Sequence, residues 1–398
     1  MSSTTTTTTE PTHESRITSR AKRDNIDLTT LPFLSQALSS IATLSTTLQH
    51  LPPFHNASRI DTHTHPIPAW FRTLQPLAAG RATPSWDPIS HLEFMAAHSI
   101  AHSVLCFSTP QANAFPGDKE KTVALARLLN EFCAELGRVC PGRFSWLAVL
   151  PLPYAEEAAR EVAYALDVLG AVGVGVLSNH EGWYPGDDRF VPVWEALQKR
   201  GGREVVFIHP TDPVLRLEGG ALVDSKPCKS FCCGVLGGDG WGVLLTMVIV
   251  APLRSGLGEF YFETARAISS ITANRTIIKF PNIHWRVSHG AGAFPDIQDR
   301  FLLGFPRDAE EARRIYAERF WYDSAGPVYP RQIKGLMAHG VPVSQFVFGT
   351  DYPYGIGFWD VDANINGLAD ADFLSAEEKE GVFYGNAKEL WKGKIPEL

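Results

Sequence analysis

The sequence predicts an α/β protein in which eight parallel strands, with intervening helices, close into a TIM barrel. Two observations lead to this fold. Strand and helix patterns alternate from Ile60 onward, and such alternation is typical of a parallel sheet. Histidine or aspartate ends strands one, five, six and eight. A barrel gathers the carboxyl ends of its strands around one site, whereas an open doubly wound sheet would scatter these groups.

The predicted elements follow from hydrophobic periodicity. Strands are short β-branched or aromatic runs, predicted at Ile60–His65, Ile100–Phe107, Phe144–Pro151, Val172–Ser178, Val205–His209, Ile283–His289, Phe320–Asp323 and Phe346–Asp351. Helical patterns lie between several of them, at Lys119–Val139, Ala155–Leu169, Phe190–Lys199, Ala309–Arg319, Arg331–His339 and Ala376–Trp391.

Strand one carries the first candidate site. His63 and His65 stand two residues apart near its end, and alternate side chains of a strand point to one face. Both imidazoles can therefore reach one ion, and imidazole is a common ligand of zinc and other first-row divalent metals.

Later strands supply further polar groups at their carboxyl ends. His209 ends strand five, His289 ends strand six and Asp351 ends strand eight. We predict His63, His65, His209 and Asp351 as metal ligands. Strand four has no lysine to bridge a second ion, so we expect one metal. His289 is then a general acid or base, or a group that orients the substrate, with a purely structural histidine as the alternative.

Composition narrows the class of protein. The chain has 398 residues, of which 44% are hydrophobic and 20% are charged, values typical of a globular protein. Its net charge of −7 argues against nucleic acid or an anionic membrane as a partner. Six cysteines in so long a chain do not suggest a disulfide framework, and no secretory signal is visible. We expect a cytosolic protein.

The chain divides into three predicted regions. Residues 1–30 are expected to form a disordered leader, because they contain a Thr run and few large apolar residues. Residues 31–57 form a helical extension, in which leucines and isoleucines at helical spacing pack on the barrel or bind a partner. Residues 58–398 form the barrel, with an insertion at about 213–258. That segment contains Cys228, Cys232 and Cys233, and it is either a surface insertion, a translated non-coding segment or a minor metal site.

The four motifs Asp61–His65, Ile208–Pro210, Ser288–Gly290 and Gly349–Pro353 together resemble the amidohydrolase superfamily. Within it, the chain resembles the aminocarboxymuconate semialdehyde decarboxylase family, and most of all the fungal 6-methylsalicylate decarboxylases. This resemblance covers about residues 58–395. It implies a distorted barrel of the metal-dependent hydrolase type, one divalent metal (zinc, with manganese as the alternative) and a homodimer. It also implies His289 as the catalytic histidine.

The resemblance implies a non-oxidative decarboxylase of a salicylate-like aromatic acid, for example 6-methylsalicylate to m-cresol, in fungal secondary metabolism or aromatic degradation. Asp351, or a water assisted by His289, would protonate the ring carbon. Two alternatives remain open: a mononuclear metal-dependent hydrolase such as a lactonase, or an impaired metal-binding homologue. Loop residues after strands one, four, six and eight are predicted to bind the substrate ring, namely Trp70, Phe71, His180, Trp183, Phe294 and Tyr352.

Overall fold

The protein is described from a computed structural model, which describes residues 13–48, 54, 57–78, 81–216, 222–224 and 258–397. All eight predicted strands are present, and most are shorter than the sequence pattern suggests. They are β1 Arg59–Thr64, β2 Ile100–Leu105, β3 in two segments (Phe144–Trp146 and Ala148–Val149), β4 Val174–Leu177, β5 Glu204–His209, β6 Ile283–Val287, β7 Phe320–Asp323 and β8 Phe346–Val347.

The strands pair in parallel and in chain order. β1, β2 and the first segment of β3 form a three-stranded sheet, and the second segment of β3 begins a six-stranded sheet that continues through β4 to β8. Main-chain hydrogen bonds join the two sheets at two seams, one within β3 and one between β1 and β8. Leu147, between the segments of β3, donates its N–H to the Leu105 carbonyl (2.8 Å), and Thr62 of β1 donates to the carbonyl of Phe348, just after β8 (2.9 Å). The result is a distorted (β/α)8 barrel, as predicted.

Burial explains why these segments form strands. Every residue of β2, β4, β5 and β7 is buried, as expected for parallel strands covered on both faces. Helices surround them, and several begin with a side-chain cap. For example, Asp118 accepts a hydrogen bond from the Lys121 N–H at the start of the longest helix, which satisfies one of the free N–H groups of the first turn.

The α-helices described include the six predicted regions, two of which contain a π-helical turn, at Tyr164–Val168 and Gly381–Gly385. Their bounds are His13–Arg23, Leu34–Thr47, Ala69–Arg72, Pro88–Ala97, Lys119–Val139, Ala155–Ala163, Val191–Gln198, Glu259–Ala273, Thr276–Lys279, Phe294–Leu302, Ala309–Glu318, Arg331–Ala338, Val361–Ala369, Ala376–Glu380 and Asn386–Trp391.

The prediction of a disordered leader over residues 1–30 is wrong for residues 13–30. A helix spans His13–Arg23 and buries Ile17 and Ala21. Asp24, which follows this helix, accepts a hydrogen bond from Arg127 of the barrel (2.8 Å). The segment orders because it docks on the helix Lys119–Val139, a tertiary effect that its own composition does not reveal.

The predicted insertion at 213–258 lies largely outside the described residues, and so do its three cysteines. At its start, Val214–Arg216 pairs antiparallel with Leu222–Asp224. Across the described part of the chain, no helix is long and apolar enough to cross a bilayer.

Candidate metal centre

The four predicted ligands converge at the carboxyl end of the barrel. Nitrogen and oxygen atoms of His63, His65, His209 and Asp351 all lie within 4.8 Å of one another, and all four residues are buried. His63 Nε2 lies 3.1 Å from His65 Nε2, and Asp351 Oδ1 lies 2.9 Å from His65 Nε2 and 3.5 Å from His63 Nε2. Ligands about 2 Å from one zinc ion would lie about 3 Å apart.

The ring nitrogens that face away from this centre determine the tautomers. In each histidine Nδ1 lies within hydrogen-bond distance of an oxygen, so Nδ1 carries the proton and Nε2 presents a lone pair. The acceptors are Asp323 Oδ2 for His63 (2.8 Å), the Cys106 carbonyl for His65 (2.7 Å) and the Pro210 carbonyl for His209 (2.8 Å). Two Nε2 lone pairs 3.1 Å apart repel each other unless a cation lies between them. The donor set therefore fits a divalent metal.

Charge states support the same conclusion. Burial lowers the pKa of His63 to about 4, although the Asp323 carboxylate opposes this shift. Burial also lowers the pKa of His209 well below its usual value, so both imidazoles are neutral near pH 7. Burial alone would raise the pKa of Asp351, but the imidazoles of His289, His65 and His63 hold it well below its usual value. The centre thus offers neutral nitrogens and one carboxylate.

Backbone hydrogen bonds across the seam between the first and last strands set the position of Asp351. Its N–H donates to the His63 carbonyl (2.8 Å), and the His65 N–H donates to the Tyr352 carbonyl (2.8 Å). Asp351 itself has a φ of 60°, a conformation that costs a non-glycine residue about 1–3 kcal/mol and is typical of functional sites.

His289 lies beside the four-residue group rather than within it. Its Nε2 is 3.9 Å from Asp351 Oδ2, and its ring stacks on that of Tyr261 with centroids 5.7 Å apart. Its Nδ1 is buried and has no hydrogen-bond partner among the described residues. This placement agrees with a group that acts on a substrate and is not a ligand.

Asp323, at the end of β7, was not predicted from the sequence and joins the two parts of the site. Its Oδ2 accepts hydrogen bonds from His63 Nδ1 (2.8 Å) and Arg286 Nη1 (2.9 Å), and its Oδ1 accepts the N–H of His289 (2.8 Å). His63, Arg286 and Asp323 are all fully buried. The signal that revealed the four predicted ligands, a histidine or carboxylate at the end of a predicted strand, was also available for Asp323.

Asp61 forms hydrogen bonds with the two segments that carry His63 and Asp351. Its Oδ1 accepts the N–H groups of His63 (3.0 Å) and Thr350 (3.1 Å), and its Oδ2 accepts the Thr350 hydroxyl. Burial raises the pKa of Asp61 to about 7, against the effect of these hydrogen bonds. Asp61 therefore connects β1 to the segment after β8 at the point where both carry ligands.

A cavity of about 870 Å³ opens onto this centre, and His209, His289 and Asp351 form part of its wall. Most of its other side chains are aromatic or apolar, and hydroxyl groups and two arginines also line the wall. Lining residues with long or polar side chains include Arg81, Ser108, Thr109, Phe260, Tyr261, Phe262, Arg331, Gln332, Tyr354, Phe358 and Trp359. An apolar cavity with a few converging polar groups is typical of a small-molecule site.

The six predicted substrate-binding residues do not line this cavity, and we correct their assignment. Three of them pack into the core: Trp70 stacks on Phe33, Phe71 contacts Phe107, and Phe294 contacts Tyr316.

The other three are also engaged elsewhere. The guanidinium groups of Arg189 and Arg216 lie 3.1 and 4.4 Å from the ring centroid of Trp183. The Tyr352 ring stacks on Phe94, with centroids 4.2 Å apart. His180 uses both ring nitrogens, one near Asn113 Oδ1 (2.6 Å) and one accepting the Leu177 N–H (3.1 Å).

Cavity residues that sequence reasoning missed include Tyr261, Tyr354 and Trp359. Tyr354 lies only two residues beyond the predicted Tyr352, and strand alternation would place both rings on one face, so no signal in the sequence separated them. Tyr261 lies beyond the predicted insertion, where spacing from a strand gave no guidance.

Comparisons with known proteins agree with this geometry. A protein-family model described as Amidohydrolase matches residues 60–393. The decarboxylase macB of Penicillium terrestre is 28% identical over 352 residues, which cover 84% of this chain and 95% of that protein. The 6-methylsalicylic acid decarboxylase acuB of Aspergillus aculeatus is 31% identical over 313 residues, covering 74% of this chain and 84% of its own.

Solved structures show the same fold. An amidohydrolase II crystal structure superposes with a TM-score of 0.67 at 27% identity, covering 84% of this chain and all of the other. The 5-carboxyvanillate decarboxylase of Novosphingobium aromaticivorans, complexed with manganese and a nitrobenzoic acid, superposes with a TM-score of 0.65 at 18% identity, covering 84% and 96%. The chain therefore belongs to the amidohydrolase family, in the branch that contains the fungal 6-methylsalicylic acid decarboxylases.

Proposed function

We propose that this protein is a metal-dependent, non-oxidative decarboxylase of a salicylate-type acid, for example 6-methylsalicylate. The observation that carries the proposal is the convergence of three imidazole lone pairs and one carboxylate on the wall of an aromatic cavity, beside a histidine that is not one of the four. Relatives named as decarboxylases of 6-methylsalicylic acid and gamma-resorcylate support the reaction and the substrate class.

His63, His65, His209 and Asp351 would hold one divalent ion. Zinc suits the nitrogen-rich donor set, and manganese is supported by the complex of the 5-carboxyvanillate decarboxylase. When bound, the ion would withdraw electron density from the substrate oxygens and fix their positions.

The reaction breaks the bond between the ring and the carboxylate carbon, releases carbon dioxide and places one proton on the ring carbon. His289 Nε2 and Asp351 Oδ2 lie 3.9 Å apart, so a small movement of either side chain would bring them within the distance of proton transfer. Because the pKa of Asp351 is held low, Asp351 is a carboxylate at rest. We assign transfer of the proton to this pair, with His289 as the group that carries it to this end of the cavity.

Tyr261 and Tyr354 would orient the ring. The Tyr354 ring lies 5.4 Å from that of His65, and the Tyr261 ring is nearly parallel to that of His289, at 21°. Both line the cavity close to the four-residue group. A planar substrate can stack on such faces, a contact that adds about 0.5–1.5 kcal/mol per aromatic pair.

The decisive experiment is a turnover screen of hydroxybenzoic acids with purified protein, first stripped with a chelator and then reloaded with zinc or manganese. We expect 6-methylsalicylate to give m-cresol and carbon dioxide, and in heavy water to give one deuterium on the ring. 4-Hydroxybenzoate, which has no hydroxyl beside the carboxylate, is the matched control. Products that gain water without losing carbon dioxide would instead identify a hydrolase.

In the same screen, His289→Ala tests the role of His289 in proton transfer, and His63→Ala tests the role of His63 as a metal ligand. His339→Ala is the control, since His339 lies outside the cavity and is partly exposed. Turnover by metal-loaded His289→Ala at the rate of the parent protein would refute the assignment of His289.

The homodimer and the cytosolic location stay predictions.

A further inference from the structure

The turn that carries His289 has an unusual backbone. His289, Gly290, Ala291 and Gly292 are consecutive, and all have positive φ values, of 52°, 59°, 70° and 58°. Residues with a Cβ atom disfavour this region, so the turn must be held by its surroundings. It ends the β6 segment and sets the direction in which the His289 ring points.

Two side chains hold this turn from opposite sides. Asp323 Oδ1 accepts the N–H of His289 (2.8 Å). The side-chain amide of Gln332 approaches three carbonyl oxygens of the turn, with Nε2 lying 2.6 Å from the oxygen of His289, 3.0 Å from that of Gly290 and 3.0 Å from that of Gly292. Three carbonyls that point to one place repel one another unless a donor lies between them.

The two glycines permit this close packing. A Cβ atom on Gly290 would lie 3.0 Å from the Gln332 amide, and one on Gly292 would lie 2.5 Å from the Tyr261 carbonyl oxygen. The turn is thus pressed between the helix Arg331–Ala338, which carries Gln332, and the helix that begins at Glu259. Its shape is matched to one inserted amide group.

We propose that Gln332 is a positioning residue for His289. By sharing its two amide hydrogens among the three carbonyls, Gln332 keeps the turn in its left-handed conformation and holds the His289 Nε2 atom beside Asp351 Oδ2. Gln332 lines the cavity but is not one of the four predicted ligands, and its amide donors are engaged by the turn, so we infer that its effect reaches the reaction through His289. A kinetic test of this proposal depends on the proposed decarboxylation, whereas a test by amide hydrogen exchange does not.

The test compares Gln332→Met with Gln345→Met. Gln345 is a matched control because it is buried and its amide donates to a single backbone carbonyl, that of Phe320 (2.7 Å), outside the site. We expect Gln332→Met to lower kcat about 10- to 100-fold, with KM and the dissociation constant of zinc changed by less than about threefold. Gln332→Asn retracts the amide and should give a smaller loss, and it serves if the methionine variant does not fold. Gln345→Met should leave kcat unchanged.

A double variant separates positioning from general stability. In the His289→Ala background, Gln332→Met should lower the residual kcat that this background retains by less than about twofold, because its effect requires the imidazole. An equal loss in both backgrounds would overturn the proposal, and so would an unchanged kcat in Gln332→Met.

Amide hydrogen exchange gives a readout that is independent of turnover. The Gly292 N–H donates to the His289 carbonyl (3.0 Å), and in Gln332→Met it should exchange about tenfold faster or more. Gln345→Met should leave it unchanged. If the parent protein decarboxylates no hydroxybenzoate, the proposed function fails, and this exchange rate alone decides whether Gln332 holds the turn. Equal exchange in both variants would refute it.

Discussion

Replacing Asp323 with asparagine tests how much the Asp323 carboxylate contributes to protein stability and to metal affinity. The substitution preserves the shape of the side chain but removes its charge and one acceptor oxygen. The remaining oxygen can still accept the backbone N–H groups of His289 and Ala325, which lie 2.8 and 3.2 Å from Oδ1. The new NH₂ group then faces His63 Nδ1 and Arg286 Nη1, which are both donors.

The expected magnitude follows from burial. Arg286 is fully buried, and its Nε and Nη2 atoms already have no partner among the described residues. Burial lowers the pKa of Arg286 to about 10, and the Asp323 carboxylate is the first of the groups that oppose this shift. Leaving such a charge without its partner costs about 3–5 kcal/mol, and loss of the bond to a ligand histidine lowers metal affinity about 10- to 100-fold.

Urea denaturation of the metal-free protein measures the loss in the free energy of unfolding. Competition with a chelator for zinc measures the loss of metal affinity. Arg286→Met should rescue Asp323→Asn, so the double variant should be more stable than additivity allows by more than about 1 kcal/mol. Asp372→Asn, at a residue whose side chain is 93% exposed, is the control. An Asp323→Asn protein within about 1 kcal/mol of the parent, or strict additivity, would refute this reasoning.

Three further predictions concern the same site. His63→Ala should lose bound metal after dialysis, whereas His289→Ala should keep it and lose turnover; metal analysis and product detection on the same samples check this, and the reverse pattern would exchange the two roles. Because burial raises the pKa of Asp61 from 3.8 to about 7, the folded state binds this proton more tightly than the unfolded state. Asp61 therefore contributes about 4 kcal/mol to the stability of the metal-free protein at low pH, and this contribution is lost as pH rises between these values. The lowered pKa values of His63, His209 and Asp351 act in the opposite direction, so the difference in stability between Asp61→Asn and the parent protein is the quantity to measure. This difference should change with pH in urea denaturation, and parallel curves for both proteins would contradict the prediction. Gly292 and Gly340 both have positive φ, but a Cβ atom would clash only at Gly292. Gly292→Ala should thus be less stable than Gly340→Ala by about 2 kcal/mol or more in urea denaturation, and equal midpoints would argue against the tight packing of the turn.

Sequence periodicity predicted the ligands because a buried strand has a simple signature. In β1, alternation alone brings His63 and His65 to one face, and the apolar run of β5 places His209 at the strand end. Barrel geometry then collects these strand ends, so the site followed from local patterns and one assumption about topology. The family comparisons confirm that assumption.

Loop side chains followed no such rule. Tyr352 stacks in the core while Tyr354 lines the cavity, because the path of the loop turns the two rings in different directions. Trp70 was predicted to contact the substrate, and it instead stacks on Phe33, just before the N-terminal helix Leu34–Thr47. The helix His13–Arg23 was missed because partners on the barrel, and not its own apolar content, order it.

The seam between the first and last strands has a consequence for the order in which the protein is made. His63 and Asp351 are joined by a direct main-chain hydrogen bond, although they lie 288 positions apart along the chain. A nascent polypeptide that has left the ribosome only as far as β7 already contains three of the four donors and still lacks the fourth. The complete four-residue group can therefore form only after nearly complete synthesis, and shortened chains that end before β8 should bind zinc more weakly than the full chain.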